Sequence, residues 1–175
     1  MRLNFLLIIV PLLFYSCTYQ KSSKFDDLNL EEVTIPVLLN GYENGTYTIT
    51  EVVEAYLERI RDIDQNGPAL NSIIQVNPDA ISIAKKLDEE LASGKVRGSL
   101  HGIPVILKDN IGTGDQMPTT AGARAMQASY SPNDAFIVEK LRQNGAVIIA
   151  KANLSEWANF HSSFSSSGWS GLGGQ

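Results

Sequence analysis

Cysteine occurs once in this 175-residue chain, at Cys17, and histidine twice, at His101 and His161. One thiol excludes an intramolecular disulfide framework. The two imidazoles lie sixty positions apart, so the sequence offers no cluster with zinc-ligand spacing and no metal is expected. No run of Lys and Arg appears, and the net charge is −5. That balance argues against nucleic acid and anionic membrane surfaces as electrostatic partners. No internal repeat is visible. What is present is the composition of a globular protein, with 43% hydrophobic and 19% charged residues, and enough chain for one ordinary domain core.

The first segment reads as a targeting sequence. Arg2 precedes an almost wholly apolar stretch from Leu3 to Tyr15. It is short for a membrane span and has the length of a signal-peptide apolar region. Cys17 follows in FYSC (Phe14 to Cys17), which resembles a bacterial lipobox, although Phe14 and Tyr15 are bulky for its strictest form. The expectation is a signal peptide over 1–16 and lipidation at Cys17, with residues 17–33 as a polar tether and the domain at 34–175. It implies export to a bacterial cell envelope, with membrane contact through the lipid anchor only. An uncleaved anchor helix or a secreted, unlipidated protein are the alternatives.

Beyond the tether, Thr34-Ile35-Pro36 has the form of a helix start, with a stop near Gly41 or Gly45. Thr48 and Glu51 have capping-box spacing. Val52, Val53, Tyr56, Leu57, Ile60 and Ile63 then recur on one helical face. Leu70 to Val76 reads as a strand. A helix from Asn77-Pro78 to about Gly94 should bury Ala80, Ile81, Ala84, Leu87 and Leu91. Two continuous apolar runs follow, Ile103 to Leu107 and Ala146 to Ala150. They are separated by a helix over Asp134 to Asn144, with Phe136, Ile137 and Leu141 facing inward. Two such strands around a helix predict a parallel sheet covered on both faces, hence a layered α/β fold. The Ser/Gly-rich tail from His161 to Gln175 has no closing element, and two core strands are few for a sheet covered on both faces. The chain reads as the N-terminal part of a longer domain.

Each apolar run ends in a lysine, Lys108 in HGIPVILKDNI and Lys151 in AVIIAKANL. A lysine at the edge of an apolar core loses hydration, and its pKa falls toward neutrality. Once neutral, it can take a proton from a serine hydroxyl. Position alone does not choose between the two, and most strand-end lysines are simply solvated.

HGIPVILKDNI, then MPTTAGA (Met117 to Ala123), then AVIIAKANLSEWANF (Ala146 to Phe160), together resemble the amidase signature family, in order and spacing, from about Thr48 to Gln175. The resemblance implies an α/β/α fold with a mixed central sheet. It also implies hydrolysis of a carboxamide bond by a Ser–cis-Ser–Lys triad, with no cofactor. Matched motif to motif, Lys108 takes the lysine role, and Asp109 and Asn110 fix the strand end by hydrogen bonds. Trp157, Ala158 and Phe160 fall where the family lines its substrate cleft, and a small-molecule or peptide amide is the implied substrate. The bridging and nucleophilic serines fall later in the family's order than Gln175. Ser165, Ser166 and Ser167 are therefore assigned no catalytic role, and Ser162 to Ser170 reads as a surface-to-cleft loop. Ala123 and Ala152 stand where the family often has serine and threonine. A non-catalytic, lipid-anchored α/β binding module is the alternative. A nucleotide site at Gly171-Leu172-Gly173-Gly174 fails because no strand precedes it and no helix or lysine follows.

Overall fold

A computed structural model describes residues 30–160, 163–164 and 167–174. The segment read as a signal peptide, the expected lipidation site Cys17 and nearly all of the expected tether lie outside them. Leu30 and Val33, at the tether's end, already pack into the core.

Helix α1 spans Ile35–Glu43, with Pro36 in its first turn and Gly45 just beyond it at φ +72°. Helix α2, Ile49–Arg59, begins with the expected capping box: the Thr48 side chain accepts from the Glu51 amide, and the Glu51 carboxylate accepts from the Thr48 amide. Asp88 of the next helix adds bonds to the amides of Ile49 and Thr50, at 2.8 and 2.9 Å. Orphan donors of the first turn are thus satisfied from two sides. A π-helical turn, Ile60–Gln65, continues α2 and leaves Ile63 partly exposed. Strand β1 is Ile73–Val76 and helix α3 is Ala80–Ala92, whose Ala80, Ala84 and Leu87 are buried while Ile81 is exposed.

Strand β2 (Pro104–Lys108), helix α4 (Phe136–Gln143) and strand β3 (Val147–Ala152) form the second half. The sheet order is β1-β3-β2, with β2 parallel and β1 antiparallel to β3. The parallel pair follows from the helical crossover; the antiparallel β1 makes the sheet mixed. Val147, Ile149 and Ala150 pack in one cluster with α1, α2 and α3. Ile148 packs with Leu107, Met117 and Val138 in another, on the α4 side. Helices thus cover both faces, giving three layers.

The expected inward face of α4 is corrected. Phe136 and Ile137 are 74% and 52% exposed, whereas Val138 is fully buried. Ala135, Val138 and Leu141, at steps of three, form the stripe against β2 and β3. Phe136 lies beneath the Lys140 ammonium, 5.3 Å from its ring centre.

A register shift in β3 matters for the site. Val105 pairs with Ile148 but Ile106 pairs with Ala150, so one extra residue is accommodated in β3. Side chains alternate faces along a strand, and an inserted residue reverses the alternation beyond it. Lys151 therefore shares a face with its partners Leu107 and Gln75, on the α4 side. Lys108, paired with Ala152, leaves from the opposite face.

Candidate active site around the strand-end lysines

Lys108 closes β2 with an exposed side chain. Its Nζ donates to the Asn153 carbonyl at 2.9 Å. It stands in an open cleft of about 310 Å³, lined also by Asn71, Ser72, Asn153, Leu154 and Ser155. Of the two strand-end lysines, the one enclosed in the core is Lys151, which is completely buried. Lys151 Nζ donates to the Pro118 carbonyl at 3.0 Å and to Thr119 Oγ1 at 2.9 Å. Burial pulls its pKa below the ordinary lysine value, with Asp109 and Asp115 opposing the shift. In the described sheet β3 lies between β1 and β2, and its bulge turns Lys151 under the Met117–Thr120 loop, whereas Lys108 leaves the end of β2 from the opposite face.

Asp109 follows Lys108 directly and is held at the strand end by hydrogen bonds. Its carboxylate is fully buried. It accepts from Gln75 Nε2 at 2.5 Å, from the Thr120 amide at 3.3 Å and, in a very short contact, from Thr120 Oγ1. Its amide donates to the Ala152 carbonyl, and its carbonyl accepts from the Ala121 amide, both at 3.1 Å. Gln75 Nε2 also donates to Pro118 O at 2.6 Å, the same carbonyl that Lys151 holds. Asn110, the next residue after Asp109, is exposed.

Trp157, Ala158 and Phe160 do not line the Lys108 cleft. All three are exposed, Phe160 to 94%. Trp157 and Ala158, at φ +50°, occupy a left-handed turn held by a bond from the Trp157 amide to Ala121 O. The described part of the tail folds back on the same loops. Buried Ser170 donates to Asn153 Oδ1 at 2.8 Å, and the Leu172 amide donates to Gly122 O at 2.9 Å. Gly168 reaches the cleft wall. Gln75, Thr120, Asn153 and Ser170 were not legible as site residues, because each acts through contacts distant in sequence. Among the described residues no group of His, Cys, Asp and Glu could hold a metal ion, and no helix is long and apolar enough to cross a membrane.

Residues 51–168 match the family model described as Amidase. The chain belongs to the amidase signature family. A Schizosaccharomyces pombe protein named as an amidase is 47% identical over 152 residues, covering 87% of this chain and 26% of the relative. An Arabidopsis thaliana protein likewise named is 41% identical over 147 residues, covering 83% and 28%. The crystal structure of the peptide amidase from Stenotrophomonas maltophilia superposes with a TM-score of 0.79 at 45% identity, covering 82% of this chain and 29% of that one. The fold is thus the layered α/β fold with a mixed sheet that solved amidase structures share. The chain spans between a quarter and a third of the length of these family members.

The same relatives correct one expectation. Amidases of a yeast and a plant match this chain as well as a bacterial peptide amidase does. The family thus gives no ground for a bacterial envelope protein. The exported, lipid-anchored localisation read from FYSC, with its membrane contact through Cys17, does not stand.

Proposed function

We propose that residues 34–175 form the N-terminal part of an amidase domain that hydrolyses a carboxamide bond, with Lys108 as the base of a Ser–cis-Ser–Lys triad. The observation that carries this reading is the placement of the two lysines. Among the described residues Lys108 Nζ stands in an open cleft and donates to the Asn153 carbonyl, where a hydroxyl can approach it. Lys151 is enclosed beneath Pro118 and Thr119 and offers no approach to substrate.

In the chemistry so assigned, the unprotonated Lys108 amine accepts a proton from a bridging serine. That serine accepts one from the nucleophilic serine, whose Oγ attacks the amide carbonyl; one proton is relayed back to the departing amine, and a water deprotonated through the same relay then cleaves the acyl-serine, releasing the carboxylic acid and restoring the serine hydroxyl. Both serines come from the part of the family's length that this chain does not span. Asp109 holds the base at the strand end through Gln75, Thr120 and the Ala152 carbonyl. The substrate class is a small-molecule or peptide amide, in keeping with the name of the S. maltophilia relative. No cofactor takes part.

A serine-directed fluorophosphonate tests this. The 175-residue chain should remain unlabelled, whereas a polypeptide carrying the rest of the relatives' length should be labelled and should hydrolyse amides. Labelling of the short chain would move the nucleophile into Ser165 to Ser170. An extended chain that is folded yet inert toward the probe would favour a non-catalytic α/β binding module.

A further inference from the structure

Lys151 is the largest fully buried side chain among the described residues, and the triad does not use it. Lysine is almost never buried completely unless paired. Among the described residues no carboxylate bonds the amine: its acceptors are a carbonyl and a hydroxyl, both on the loop after β2. An apolar side chain of similar length would fill the volume without the cost of desolvating an ammonium. Core packing alone therefore does not account for it.

Its contacts converge on the base. Pro118 O is shared between Lys151 on β3 and Gln75 on β1, and Gln75 also holds the Asp109 carboxylate. Asp109 in turn binds Thr120, two residues beyond Pro118, and directly follows Lys108. The closed circuit Lys151–Pro118–Gln75–Asp109–Thr120 ties β1, β3 and the Met117–Ala121 loop to the end of β2. Asp109 and Asp115 favour the charged amine, while burial opposes it.

We propose that Lys151 is a positioning residue for Lys108: by bracing Pro118 and Thr119 from beneath the sheet, it keeps the Asp109 anchor and the strand end in one arrangement. The proposal rests on the assignment of Lys108 as the base. It predicts a local effect, without global unfolding, when the amine is removed.

Lys151→Met preserves the length and removes both bonds. In the 175-residue chain, amide hydrogen exchange at Asp109 and Ala121 should accelerate at least tenfold, with α2 and α3 amides unchanged. In the extended enzyme, kcat should fall about tenfold or more at nearly constant KM, because transition-state geometry rather than substrate binding is lost. Thr119→Val deletes one acceptor and gives the same pattern at smaller size; it decides the matter if Lys151→Met does not fold. Uniform acceleration of exchange across α2, α3 and the loop would reduce Lys151 to a stability role and overturn the proposal. So would unchanged exchange and unchanged kcat. Lys108→Ala separates the two layers. If it abolishes turnover while the Lys151 and Thr119 variants behave as wild type, positioning alone fails; if it leaves turnover intact, the parent assignment fails.

Discussion

Replacing Asp109 with asparagine changes two atoms' worth of chemistry and no volume, and it tests the anchor of the candidate base directly. The wild-type carboxylate is buried and accepts on both oxygens: Gln75 Nε2 on Oδ1, and the Thr120 amide and hydroxyl on Oδ2. An asparagine has one acceptor oxygen and one NH2. If its oxygen faces Thr120, its NH2 faces the Gln75 NH2, donor against donor. If its oxygen faces Gln75, the Thr120 hydroxyl can rotate to accept, but the Thr120 amide is left facing a donor. Either orientation strands at least one buried donor, at a cost of about 1–3 kcal/mol. The variant also withdraws the larger of the two carboxylate charges, Asp109 over Asp115, that favour Lys151 in its ammonium form. Taking about 2 kcal/mol and roughly 2–4 °C per kcal/mol for a chain of this size, the melting midpoint should fall by about 4–8 °C. Thermal melts followed by far-UV circular dichroism, with urea titrations for the free energy, measure it. A variant melting within about 1 °C of wild type would refute the claim that this network bears on stability.

Two further outcomes follow from the geometry. Gly145 lies at φ +86°, and a Cβ there would meet His101 Cα at 2.8 Å, whereas Gly94, at φ +76°, has open space around it. Gly145→Ala should therefore cost clearly more than Gly94→Ala, which carries only the left-handed penalty of about 1–2 kcal/mol; equal urea midpoints would contradict the close packing. For Lys151, the folded-state pKa lies below the ordinary 10.5. Between the two values the unfolded chain binds the extra proton, so wild-type stability rises with pH through that window. Lys151→Met removes the rise: its stability should stay level through that window while the wild type gains. Parallel pH profiles in urea titrations would rule this out.

Local signals were the most legible part of the fold. The Thr48–Glu51 box and the Val52, Val53, Ile60 periodicity specify α2 from sequence alone. The two apolar runs became adjacent parallel strands because a helix separates them. The face of α4 was misread because Phe136 and Ile137 are more hydrophobic than Ala135, yet Ala135, Val138 and Leu141 are the residues in phase with the sheet. The antiparallel β1 and the β3 bulge depend on pairing partners, which no local pattern reveals. The bulge is why the physical argument for a desolvated lysine holds at Lys151, while the family motif points to Lys108. Motif and burial answer different questions: one marks where a hydroxyl can approach, the other which amine is enclosed by its own chain.

The central claim is that Lys108, rather than Lys151, is the base, and turnover by the extended enzyme carrying Lys108→Ala tests it most directly. Loss of a positioned general base removes roughly 10²–10⁴ in rate. Amide hydrolysis and fluorophosphonate labelling should both collapse on that scale, while the fold, read by circular dichroism, stays intact. Turnover within a few-fold of wild type would contradict the account and pass the role to another residue.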